Sequence, residues 1–118
     1  MRKSIRAAMT GVVAAGALLV AVPGPALAAH DRYCTVPSKG CTAGDTPANS
    51  AHWVYFATGN ISGKNYTITV RDVNNGKVVY SGYFNSALSK GLSNVYSSYS
   101  ARIICDTGCP GATVHIWS

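Results

Sequence analysis

From residue 66 the chain alternates strictly, with Tyr66, Ile68 and Val70 on one side and Thr67, Thr69 and Arg71 on the other. A pleated strand turns successive side chains to opposite faces, so this run predicts a half-buried β-strand. Asn74-Asn75-Gly76 follows. A three-residue loop with Gly76 in the left-handed conformation sets Val70 opposite Tyr80 and Asp72 opposite Val78, which puts Ile68, Val70, Val78 and Tyr80 on one face. The two-residue alternative sets Val70 against Ser81 and loses that match. Tyr83 and Phe84 extend the second strand.

Upstream, His52 to Thr58 is an aromatic run (Trp53, Val54, Tyr55, Phe56) closed by Gly59-Asn60. It suits a strand buried on both faces. Residues 85–94 mix Ser, Gly and two leucines without period and predict a loop containing a helical turn. Tyr99, Ala101, Ile103 and Cys105 then alternate with Ser100, Arg102 and Ile104. After a turn the chain returns from Ala112 to Trp117, with Val114 and Ile116 facing one way and Thr113, His115 and Trp117 the other. Five to six short strands with turn signals every ten residues or so predict an all-β fold, a small antiparallel β-sandwich.

The N-terminal third reads differently. Arg2, Lys3 and Arg6 precede an uncharged stretch from Ala7 to Val22, then Pro23-Gly24-Pro25 and Ala26-Leu27-Ala28. This is the order of a secretory leader, with cleavage expected before Ala29. The apolar stretch is shorter than the roughly 20 residues a spanning helix needs, so no membrane span is expected after cleavage. Residues 1–29 resemble signal peptides of secreted actinobacterial proteins. Residues 29–50 are rich in Pro, Gly, Thr and Ser and predict an irregular N-terminal arm, leaving 51–118 as the sandwich domain.

Four cysteines in an exported chain of about 90 residues predict two disulfides. Sequence proximity favours Cys34 with Cys41, closing the arm, and Cys105 with Cys109 across a three-residue hairpin loop ending in Gly108. The rival connectivity bridges Cys34 and Cys41 to the C-terminal pair and gains more loop entropy. Neither spacer matches the C-x2-C pairing of structural zinc sites, and no metal or cofactor is expected.

The run from Leu92, with Tyr99-Ser100-Ala101-Arg102-Ile103 near its end, resembles the Leu…Tyr-x-Ala-x-Ile corner of immunoglobulin-like and fibronectin-type modules. The resemblance implies an immunoglobulin-like or similar sandwich. The spacing of central Trp and inter-sheet disulfide found in true immunoglobulin domains is missing.

Charge and chemistry narrow the function classes. Three of ten basic residues leave with the leader while all four acids stay, so seven bases face four acids and the mature net charge is +3. The bases are scattered singly, which disfavours nucleic acid as a partner. There is no Glu, and the four Asp lie in the arm or at predicted turns, so paired-carboxylate catalysis is not expected. His30, His52 and His115 form no recognisable acid-base motif, no G-x-S-x-G is present, and the thiols are expected to be oxidised. The chain reads as a non-enzyme.

Seven Tyr among abundant Ser, Asn and Gly give the composition of adaptable binding surfaces. Tyr80, Tyr83, Tyr96 and Tyr99 are the candidate binding residues, and the expected partner is an extracellular protein or a cell-surface polymer. One alternative is an inhibitor or toxin presenting Lys39 from the Cys34–Cys41 loop to a trypsin-like protease. A further alternative is a self-assembling surface protein, since exposed strand edges invite pairing.

Overall fold

The computed structural model describes residues 30–118, and the leader assigned to residues 1–28 lies outside them. Eight strands follow in order: β1 (Asp31–Thr35), β2 (Gly40–Pro47), β3 (Trp53–Gly59), β4 (Tyr66–Asp72), β5 (Val78–Phe84), β6 (Ser89–Ser93), β7 (Ser98–Cys105) and β8 (Thr113–Trp117). There is no helix among the described residues. The strands form two antiparallel four-stranded sheets, ordered β1-β8-β3-β6 and β2-β7-β4-β5.

This order is a set of nested pairs. β4 pairs with β5, β3 with β6, β2 with β7 and β1 with β8, and contacts of β3 with β8 and of β4 with β7 close the two sheets. A long ribbon rolled so that alternate pairs fall in opposite sheets gives this pattern, the jelly-roll order of double Greek keys. In an immunoglobulin-like sandwich the first two strands are neighbours in one sheet. Here β1 and β2 lie in different sheets, and eight strands replace the expected five to six.

Alternation builds the core. Val54 and Phe56 from β3 and Val114 and Ile116 from β8 meet Ile68 and Val70 from β4 and Ala101 and Ile103 from β7, all fully buried. Burying a side chain of this kind contributes about 1.5–3 kcal/mol. β3 is therefore buried on one face only, and Trp53 and Tyr55 point away from the core. The β4–β5 register places Val70 opposite Tyr80 as expected, but a shift after Val70 pairs Arg71 with Val78. That bulge leaves Val78 48% exposed and off the core face expected for it.

Two segments expected to be irregular are strands. Residues 31–35 and 40–47 of the arm supply β1 and β2, one to each sheet, and residues 89–93 of the expected loop supply β6. The sandwich therefore extends across the arm and the predicted 51–118 domain together. Both disulfides are the local pairs, Cys34–Cys41 and Cys105–Cys109, with Cα atoms 6.2 and 5.9 Å apart. Cys34 belongs to one sheet and Cys41 to the other, so this bond staples the sheets at one end. The loops there are also zipped by backbone bonds from Cys105 N–H to the Lys39 carbonyl (2.7 Å) and from Cys109 N–H to the Ser38 carbonyl (2.9 Å).

At the other end Tyr99 forms the corner that its sequence context resembles. Its ring is buried and its hydroxyl accepts the backbone N–H groups of Tyr96 (3.1 Å) and Ser97 (3.2 Å). The local motif is present within a different strand order.

Candidate functional site

The outer face of the β1-β8-β3-β6 sheet carries a continuous row of aromatic rings. Register sets Tyr33 of β1 opposite His115 of β8, and Trp117 of β8 opposite Tyr55 of β3. Trp117 lies two residues beyond His115, and Trp53 two residues before Tyr55, so period-two geometry keeps all five side chains on one face.

The rings run Tyr33, His115, Trp117, Tyr55, Trp53. Their successive centroids lie 4.1, 4.3, 5.7 and 5.8 Å apart and their planes are within 26° of parallel. Stacked pairs of this kind contribute about 0.5–1.5 kcal/mol each beyond burial. The ends of the row are the open positions: Tyr33 is 66% exposed and Trp53 37%.

Next to the row, β6 presents only Ser89, Gly91 and Ser93 to this face. A Cβ on Gly91 would lie 3.0 Å from ring carbons of both Trp53 and Tyr55, so the two rings reach across β6 through the space glycine leaves. Thr35 and Thr113 extend the hydroxyl border at the far end of β1 and β8. The one carboxylate at an outward position of this sheet is Asp31, and the His115 imidazole donates to it. The face is thus aromatic at its centre, hydroxyl-bearing at its margins and close to neutral.

The tyrosines expected to bind are dispersed. Tyr99 is the buried corner residue. Tyr80 is half-buried, packed on Phe56 at 5.1 Å with Lys90 over its ring at 5.6 Å, and closes the core between the edge strands β5 and β6. Tyr83 is exposed on the outer face of the other sheet and donates to Asp106. That bond, with some burial, pushes its phenol up from the ordinary value.

Tyr96 is exposed at the loop end, where its ring lies 4.1 Å from that of His52 beside an open groove of about 380 Å³. Nearby, the Ser97 hydroxyl and the Asn74 N–H both donate to Asp72, at 2.8 Å each. These bonds hold the Asp72 carboxyl below the ordinary carboxylate range, the Ser97 hydroxyl foremost.

Lys39 is exposed in the Cys34–Cys41 loop, but its carbonyl already accepts the Cys105 N–H. An inhibitory loop must offer that carbonyl to the protease's oxyanion donors. Here it is tied into the protein's own end.

Among the described residues no group of His, Cys and Asp is arranged to hold a metal ion, and no helix is long and apolar enough to cross a membrane. Protein-family models and curated proteins were searched, and neither comparison gave a match.

Of the row, the sequence pattern marks only His115 and Trp117 as outward positions of a predicted strand, whereas Trp53 and Tyr55 fall in a strand expected to be buried on both faces and Tyr33 in the arm expected to be irregular. The missing information was strand adjacency. Nothing local places β1, β8 and β3 side by side, because those pairings span most of the chain.

Proposed function

We propose that this protein is an exported, non-catalytic binding module and that the aromatic row on the β1-β8-β3-β6 sheet takes a neutral polysaccharide of the cell surface. The observation that carries the reading is the row itself: five aromatic rings in unbroken contact on one sheet face, with exposed rings at both ends. An exposed aromatic patch rimmed by small polar groups marks an interaction surface. Sugar rings suit its exposed end rings, Tyr33 and Trp53, because the C–H face of a sugar packs on an aromatic ring while its hydroxyls bond to a border such as Ser89, Ser93, Thr35 and Thr113. The near-neutral face favours an uncharged ligand over an ionic one.

The leader pattern and the two disulfides support export. Jelly-roll order occurs in lectin domains among many others and is compatible with this reading, but a fold of this kind hosts many functions.

The test is retention on insoluble neutral glycans, with Trp53→Ala and Tyr33→Ala as the end-ring variants. Retention at micromolar protein is expected, and each variant weakens it about tenfold, the equivalent of about 1.4 kcal/mol. A panel of neutral glycans that retains nothing, or retains the variants as well as the parent, refutes the assignment. The protease-inhibitor reading loses support because the Lys39 carbonyl is occupied.

A further inference from the structure

The second sheet offers its solvent face to a different chemistry. Thr42, Thr69, Arg71, Ser100, Arg102 and Ile104 line an open groove of about 400 Å³ across β2, β7 and β4. Register places Arg102 between Thr42 on one neighbouring strand and Thr69 on the other, and Arg71 opposite Ser100. The two arginines therefore occupy diagonal positions on adjacent strands, a separation of about 7–8 Å between Cα atoms.

Arg71 donates one Nη1–H to the Gly76 carbonyl at 2.7 Å, which anchors the side chain and leaves further N–H groups for a ligand. Arg102 makes no hydrogen bond or ion pair with any described residue. No carboxylate neutralises the pair within the groove. Asp31 is engaged by His115 on the opposite sheet, Asp72 by Ser97 and Asn74, and Asp106 by Tyr83, while Asp45 sits in the β2 bulge outside the lining. Two guanidinium forks flanked by three hydroxyls, with no acid in the lining, form a donor array for oxyanions.

We propose that this groove is a second binding site, independent of the aromatic row, and that its ligand is an acidic polysaccharide whose carboxylate or phosphate groups are held by Arg71 and Arg102. The side chains of Thr42, Thr69 and Ser100 bond the remaining oxygens. A linear chain fits because the site is open and its charges are arranged along a diagonal that crosses the strands.

The experiment measures binding of the disulfide-intact protein to polygalacturonate and to phosphorylated dextran, with unmodified dextran and double-stranded DNA as controls, at 20 and 200 mM salt. Binding to either acidic polymer is expected, weakening with salt, and which of the two binds identifies the anion. Arg102→Gln and Arg71→Gln each lower the affinity at least tenfold and flatten the salt dependence. Both arginines are exposed, and an unchanged melting temperature for the variants shows that lost binding is not lost folding. The proposal is overturned if neither acidic polymer binds at 20 mM salt, if both variants bind the acidic polymers like the parent, or if DNA binds as tightly as the polysaccharides. None of these outcomes depends on whether neutral glycans bind the aromatic row.

Discussion

Replacing Tyr66 by Phe removes one oxygen from the centre of the molecule and tests how the β5–β6 connection is held. Tyr66 is fully buried, and its hydroxyl donates to the Ser86 carbonyl at 2.7 Å. That leaves its lone pairs for the Thr58 hydroxyl at 2.9 Å, whose oxygen in turn accepts the Leu88 N–H at 2.9 Å. A single relay thus runs from Leu88 through Thr58 and Tyr66 to Ser86 and fixes both sides of the turn that leads into β6.

Phenylalanine keeps the packing, strands the buried Thr58 hydroxyl and frees the carbonyl of the exposed Ser86. Leaving a buried polar group unpaired costs about 1–3 kcal/mol, so a loss of about 2 kcal/mol is expected, or roughly 10 °C in melting temperature for a domain of this size. Thermal and urea unfolding followed by circular dichroism measure it. Burial also pushes the Tyr66 phenol above its ordinary value, against a smaller lowering by the Thr58 bond. The folded state therefore favours the protonated phenol. Its contribution is complete below the unfolded pKa of about 10 and is lost as pH rises through the folded value, so the variant has a shallower alkaline decline. A stability loss under about 0.5 kcal/mol, or strict additivity with Thr58→Val, refutes the relay.

Two further outcomes follow from the same geometry. Gly91→Val places a Cβ 3.0 Å from the rings of Trp53 and Tyr55 and forces them to swing outward; because both rings lie at the surface, unfolding is expected to change by less than about 1 kcal/mol while neutral-glycan retention falls at least tenfold. Equal retention by the variant would separate the row from binding. Asp72→Asn tests the acid limb of stability: a carboxyl held below its ordinary pKa stabilises the fold above about pH 4 and ceases to do so as pH falls through the folded value, so the variant's melting temperature should decline less between pH 5 and pH 2.5, a comparison made by melts across that range.

The sequence marks the strands that carry strong alternation. In β4, β7 and β8 the inward residues are large and apolar, and the observed buried sets, Tyr66-Ile68-Val70, Tyr99-Ala101-Ile103-Cys105 and Val114-Ile116, are those the pattern picks out. β2 and β6 escape notice because edge strands bury little. β2 places only Ala43 and Thr46 fully inside, and β6 turns inward with Leu92 while its outward positions are Ser and Gly. β1 is five residues long and includes Asp31 and Arg32.

Strand order was beyond local pattern altogether, since the Tyr99 corner forms equally well in either topology once its hydroxyl has two nearby N–H groups to accept. Strand face likewise disperses the tyrosines. Composition groups Tyr80, Tyr83, Tyr96 and Tyr99 together, whereas Tyr80 and Tyr99 occupy inward positions of their strands, Tyr83 an outward one, and Tyr96 lies in the loop between β6 and β7. Of the aromatic row, local pattern marks only His115 and Trp117 as outward, and the other three rings join them through strand adjacency.

The nesting of the strand pairs also has a kinetic side. β4 and β5 are joined by a short turn, while β1 and β8 stand at opposite extremes of the described chain, Asp31 opposite Trp117. The entropy of closing a loop rises with the length enclosed, and proteins dominated by distant pairings fold slowly. Assembly that starts at the inner hairpin and zips outward brings β1 home last, with Tyr33 on it, so the ring that terminates the aromatic row arrives at the final step. Local opening of the native protein by the reverse route would release that strand first and dismantle the binding face while most of the interior stays closed.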